Sequence, residues 1–249
     1  LFLDTALYLF PEIFSQWELK TIDLRYIIRN ELGENPETDP DIAGVYVDNY
    51  SFEVTGGDLW QRSTYGAVIE TISDAGAQAL GIDIVFCGKT EPAEDSALIT
   101  SLRNAHNEIL PILFNIDNGY HPAPELEQYP FLRRLPTLPL SHNMYRISGI
   151  SASPMESALN EASGIGSVNM FFDPDGVIRK YPLFLALGDK AFPSFPIAML
   201  CRYLGISPGE IEVVPGRYVR IPLDHTTDIT VPVDKQCAVP VNYVGNWEE

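Results

Sequence analysis

Between Ser63 and Phe86 the sequence passes from an amphipathic helical pattern through a glycine-bearing turn into an apolar run, an order that points to an α/β architecture. Tyr65, Val68, Ile69, Ile72 and Ala75 recur every three or four positions and define one apolar helix face. The turn Asp74-Ala75-Gly76-Ala77 follows, and GIDIVF at 81–86 then reads as a buried strand with one carboxylate, Asp83, in its middle. IAGVYVD at 42–48 reads as a first strand ending in Asp48, so the helix becomes a crossover between two parallel neighbours. A carboxylate inside a buried strand is costly unless something pairs with it. Arg179 is the expected partner, because it alternates with Val177, Tyr181 and Leu183, and its planar fork of donors matches a carboxylate.

The rest of the chain extends this unit. Residues 12–30 place Phe14, Trp17, Thr21, Leu24 and Ile28 at helical spacing behind Pro11, which predicts a leading helix over 1–30. A single α/β domain is expected over 31–249. After the strand at 79–86, Asp95 is expected as the N-cap of a helix running to Ala105, and ILPILF at 109–114 as a third strand. Residues 115–163, rich in proline, histidine and tyrosine, read as an irregular insertion. IGSVNMFFDPDGVIRKYPLFLAL reads as a hairpin about Asp173-Pro174-Asp175-Gly176, with proline in the first central turn position and Gly176 where a positive φ is required. A helix over 194–203 and short strands at 211–214, 218–222 and 239–243 complete the pattern. The fold class is therefore α/β: a mixed central sheet with helices on its faces, parallel in its N-terminal half and built of antiparallel hairpins in its C-terminal half.

Charge narrows the partners. Sixteen basic residues against 34 acidic ones give a net charge of −18, and no basic run exceeds Arg133-Arg134. That disfavours a nucleic-acid or anionic-membrane footprint. No apolar run reaches the roughly 20 residues of a membrane helix. Cys87, Cys201 and Cys237 form no CxxC pair and share no metal-ligand spacing with His106, His121, His142 and His225. A Cys201–Cys237 disulfide is compatible with an oxidising compartment, while the odd count favours free, buried thiols.

The residues that could carry chemistry are mainly carboxylates and their cationic partners. Asp48 and Asp83 fall toward the carboxyl ends of two strands, where open α/β sheets bind ligands, and Asp95 begins the helix after the second. Three carboxylates in one crevice suit a divalent cation or a cationic ligand, and also fit a buried pair plus a cap. Trp60 and Arg62 stand at the mouth of the first crossover helix, where Arg62 can meet an aspartate or an anionic ligand. Asp173, Asp175 and Gly176 read as a structural turn, since the other positions of a calcium-binding EF-hand are missing. No catalytic motif, resident metal or cofactor is read from the sequence.

In order, Asp23 with Arg25, VYVD at 45–48, Trp60 with Arg62, AGAQALGIDIVF at 75–86, Asp95, GSVN at 166–169, DPDGVIRKYPL at 173–183, Pro193-Ser194 and VNY at 241–243 resemble the CHASE type 2 sensor domain. The likeness spans roughly residues 17–245, with the segment before the first crossover helix reduced here to DLWQR. It implies an extracytoplasmic (periplasmic or extracellular) sensor domain of a bacterial membrane receptor, with the leading helix over 1–30 continuing from a membrane helix. In such receptors the domain binds a small ligand, ion or partner protein and regulates a cytoplasmic adenylate cyclase, two-component histidine kinase or Ser/Thr kinase. Asp48, Trp60, Arg62, Asp83, Asp95 and Arg179 are the candidate ligand-binding positions, and a homodimer through the leading helix is the expected assembly. Two other readings belong to different classes: an extracytoplasmic metal-dependent hydrolase using Asp48, Asp83 and Asp95, and a structural interaction module.

Overall fold

Pro111 interrupts the second strand of the sheet and explains much of the architecture around it. The computed structural model describes residues 11–37, 39–56, 60–117, 135–138, 143–224 and 226–243. Strand β1 (Leu80–Gly81) lies parallel to β2 (Glu108–Asp117), paired Leu80 with Glu108 and Gly81 with Ile109. Leu80 donates its N–H to Asn107 and Ile82 to Ile109. The next bond of a parallel ladder would run from residue 111 to the Ile82 carbonyl, and proline has no N–H to give. GIDIVF is thus extended backbone along one edge of the sheet rather than a buried strand. Ile82 and Phe86 are buried, Ile84 packs beside them, and Asp83 points to the exposed side.

The remaining pairings surround β2. Beyond Pro111, the C-terminal half of β2 pairs antiparallel with β3 (Arg146–Ala152), with register shifts at Leu113/Phe114 and Asn115/Ile116. Its other edge runs parallel to β4 (Gly164–Ser167). Strand β3 meets β6 (Phe184–Leu187), which turns back antiparallel into β7 (Lys190–Pro193). A bridge from Ser167 to Ser194 then joins β4 to the residue after β7, so the chain of pairings returns on itself. Inside it Phe114 and Phe192 meet edge to face at 4.8 Å. The polar GSVN segment has a structural use here. The Asn169 side chain accepts from Phe114 N–H at 3.0 Å and donates to Phe114 C=O at 2.9 Å, taking the place of one more strand residue beside β2.

Two smaller sheets follow, a meander β8 (Glu212–Val214), β9 (Tyr218–Pro222) and β10 (Asp228–Pro232), and a pair β5 (Lys180–Pro182) with β11 (Ala238–Pro240). The DPDG turn forms as expected: Gly176 donates to the Asp173 carbonyl, Asp173 donates to Val177, and Gly176 takes φ +80°. The flanking strands do not pair with each other, because β4 is held by β2 and β5 by β11. KYPLFLAL is split at Leu183 between two sheets, and β10 was hidden from the sequence reading by its exposed, proline-ended pattern. The expected insertion at 115–163 contains the end of β2, all of β3 and helix α5 (Glu156–Glu161), with 118–134 and 139–142 outside the described residues.

The helices fall into two compact units. The first unit, residues 1–48 with 242–249, holds α1 (Pro11–Glu31). Arg29 of α1 donates to Asn242 Oδ1 at 2.6 Å and to the Tyr243 carbonyl, and Tyr26 meets Tyr243 edge to face at 6.0 Å. Residues 42–48 of this unit form no strand, and the parallel neighbour of β1 is supplied by β2 instead. The second unit, 49–241, holds α2 (Asn49–Val54), α3 (Arg62–Asp74), α4 (Pro92–Ala105), α5 and α6 (Phe195–Leu204). The N-cap of α4 is Glu91, with Pro92 in its first turn; Asp95 lies four residues past the cap, inside the helix. Helix α6 ends with Gly205 donating to Arg202 and Ile206 to Cys201, the paired bonds of a Schellman stop. Its start lies so close to β4 that a Cβ on Gly166 would come within 2.4 Å of Phe195 Cα.

Candidate functional site

The residues singled out by sequence separate into distinct places. Arg62 is buried, and both terminal nitrogens are engaged. One contacts Asp95 and, at 3.2 Å, the Met155 sulfur; the other donates to the carbonyls of Cys87 at 2.8 Å and Gly88 at 3.0 Å. Asp95 also accepts from Thr90, through its N–H at 3.1 Å and its hydroxyl at 2.6 Å. Hydrogen bonding by the Thr90 hydroxyl, then its N–H and Arg62, holds Asp95 below the usual carboxylate range. Glu94 is lowered in the same way, chiefly by the Ser63 N–H it accepts at 2.8 Å. Trp60 donates to Thr55 at 2.6 Å and begins an aromatic row to Tyr65 and Phe86. The expected meeting of Arg62 with an aspartate is therefore formed, with Asp95 as the aspartate.

Asp83 and Arg179 do not meet. Arg179 is buried in the middle of the DPDG turn, donating at 2.9 Å to Asp173 Oδ2 and bidentately at 2.9 Å to both oxygens of Asp175. A turn can bring two carboxylates four and six residues back onto one guanidinium, which alternation along a strand does not reveal. Asp83 lies near Tyr181, whose phenol is pushed up to about 12 by burial first and then by the Asp83 charge. Asp48 belongs to the first unit, whereas Asp83 and Asp95 belong to the second. Among the described residues no group of three His, Cys, Asp or Glu side chains is placed to hold a metal ion.

A sizeable concavity lies elsewhere in the second unit. A cleft of about 830 Å³ opens between the α5–β4 corner (Leu159–Ile165) and the α6–turn corner (Ala198–Glu210), over Ile109, Leu135, Phe192 and Pro193. Its size falls within the roughly 300–1,000 Å³ of small-molecule sites. The floor is apolar, with the Cys201 thiol pushed up to about 12 by burial and so kept neutral. At one wall, Ser163 gives its N–H at 3.0 Å and its hydroxyl at 3.3 Å to Glu108, a fully buried carboxyl whose affinity for its proton is raised by desolvation. At the rim stands Arg202, exposed and without an ion pair among the described residues. The turn Pro208–Glu210 is fixed by a capping box in which Ser207 N–H donates to Glu210 at 2.6 Å.

None of Asp48, Trp60, Arg62, Asp83, Asp95 or Arg179 lines this cleft. Its readable signals were the small residues of ASGIG at 162–166 and the S-x-x-E box at 207–210, neither of which carries chemistry by itself. All three cysteines are free thiols, Cys87 exposed and Cys201 and Cys237 buried in one apolar cluster, and burial pushes Cys237 up to about 12 as well. No described helix is long and apolar enough to cross a membrane. Comparison with protein families matches the chain to the CHASE2 domain over residues 1–248. No curated protein and no solved structure matches the chain.

Proposed function

Because this chain belongs to the CHASE2 domain family, whose members are extracytoplasmic sensor domains of receptors, we propose that it is the signal-input domain of a bacterial membrane receptor and that the 830 Å³ cleft is where its stimulus binds. The whole-chain family match carries the receptor reading. The cleft supplies what a sensor needs, a partly apolar pocket with Arg202, Ser163 and Ser207 as orienting polar groups. Arg62, Asp95 and Arg179 are architectural in this account, since their charges are spent on one another, on carbonyls and on the DPDG turn.

A ligand shifts a receptor only by binding one conformation better than another. The cleft is formed by two corners, α5–β4 and α6–turn, so occupancy favours whichever spacing of those corners fits the ligand. The first unit is the proposed transmission element. It gathers α1 and the segment at Asn242–Tyr243 through Arg29, and these are the parts that would adjoin membrane helices. Trp17, Leu24 and Ile28 are exposed along α1 and provide the apolar stripe for a homodimer. The regulated output is a cytoplasmic adenylate cyclase, histidine kinase or Ser/Thr kinase.

Thermal-shift screening of a metabolite library against the chain and its Asn160→Trp variant tests the cleft. Asn160 is exposed on the rim, so a tryptophan there fills the opening without disturbing the core. At least one compound raises the melting temperature of the unaltered chain by several degrees and not that of the variant. If no compound does so, or if every active compound shifts both proteins equally, the cleft is not the stimulus site.

A further inference from the structure

A second, smaller cleft of about 560 Å³ lies at the amino-terminal ends of β1 and β2, bordered by the ends of three helices. Ser73 comes from the last turn of α3, Ala105 is the last residue of α4, and Arg202 to Leu204 close α6. Helix C-termini carry partial negative charge, which favours a cation beside them. Helix α3 has no basic residue in its last turn, and Arg103, in the last turn of α4, is engaged with Glu161 at 2.8 Å.

Asn107 identifies the kind of group that is missing. It lines this cleft and is only 5% exposed. Its Nδ2 donates to the Ala77 carbonyl at 2.6 Å, while its Oδ1 is buried with no hydrogen-bond partner. A buried acceptor left unpaired is destabilising, and a donor brought by a ligand removes that cost. Arg202 lines the same cleft and makes no ion pair among the described residues, although the chain has 34 acidic residues against 16 basic ones. Its guanidinium repels a plain amine and suits a carboxylate. A plain carboxylate satisfies Arg202 but faces three helix C-termini and leaves Asn107 Oδ1 unpaired. A ligand with an ammonium beside a carboxylate meets both demands and suits the helix C-termini as well.

We propose that this cleft binds a free α-amino acid, its ammonium donating to Asn107 Oδ1 among the helix C-termini and its carboxylate held by Arg202. The inference concerns the smaller cleft and does not depend on the larger one being the stimulus site.

Isothermal titration of the chain with each of the twenty free amino acids tests it, followed by the N-acetyl derivative and the methyl ester of the tightest binder. At least one amino acid binds. Loss of either charge weakens it about tenfold or more, the scale of one charge-assisted hydrogen bond. Arg202→Gln, an exposed change, weakens it to the same degree, and Asn107→Leu weakens it further. Arg202 also borders the larger cleft, so two blocking variants assign the site. Gln78→Trp, exposed and confined to the smaller cleft, abolishes binding, and Asn160→Trp, confined to the larger, leaves it unchanged. The proposal is overturned if none of the twenty binds, if the acetylated or esterified form binds as tightly, or if binding survives Gln78→Trp and is lost in Asn160→Trp.

Discussion

Glu108 sits in an environment far from what a carboxyl prefers. It is fully buried beside the larger cleft, and desolvation raises its pKa above the ordinary 4.5 despite hydrogen bonds from Ser163. An acid with a raised folded-state pKa contributes fully to stability below its unfolded value and loses that contribution as pH rises through the folded one. Glu94 and Asp95 behave oppositely: lowered by Ser63 and Thr90, they add stability above their ordinary values and lose it as pH falls through the lowered ones. Glu108→Gln keeps an acceptor for Ser163 and removes the ionisable proton. In urea unfolding, its midpoint should match the unaltered chain near pH 4.5 and exceed it at higher pH. A difference that is constant with pH would contradict a desolvated carboxyl. Nothing in the sequence marks Glu108, which reads as the first residue of an apolar strand. The inward-facing Arg179 was legible from alternation, but its partners were not, because a turn rather than a sheet delivers Asp173 and Asp175.

At the scale of elements, helices α1, α3, α4 and α6 were readable because their apolar faces and stop signals are local. Strand β2 was readable as a continuous apolar run. Pairing was not, because it depends on residues far apart in sequence. IAGVYVD looked like the neighbour of GIDIVF by order alone, yet β2 takes that place. Pro111 then ends the ladder one residue beyond Gly81. Hydrogen exchange checks this ladder directly. The amides of Leu80 and Ile82 should be strongly protected, and those of Asp83, Ile84 and Val85, which donate to no backbone carbonyl among the described residues, should exchange markedly faster. Uniform protection across residues 80–86 would mean that GIDIVF is a laddered strand after all. The larger cleft is an element-scale feature too: it exists because the α5–β4 and α6–turn corners face each other, a juxtaposition no single motif encodes.

For the whole molecule, the family match and the fold point the same way. The CHASE2 match spans residues 1–248, and the structure is the mixed α/β arrangement read from the sequence, with parallel pairing at β1–β2–β4 and antiparallel hairpins toward the C-terminus. Two of the motifs that revealed the family, DPDGVIRKYPL and the residues around Arg62, hold the domain together and do not line the cleft, whereas Pro193 of the Pro193-Ser194 motif does. Sequence therefore reported the family through its architecture, and the ligand positions it suggested, Asp48, Trp60, Arg62, Asp83, Asp95 and Arg179, lie outside the proposed cleft. The central claim is that occupancy of the larger cleft drives an output. The most direct measurement is the cyclase or kinase activity of the full-length receptor with and without a compound that stabilises this domain, compared with the same receptor carrying Asn160→Trp. The account predicts that the compound changes the output of the unaltered receptor and leaves the variant at its basal level. A compound that occupies the cleft while the output stays unchanged would contradict it.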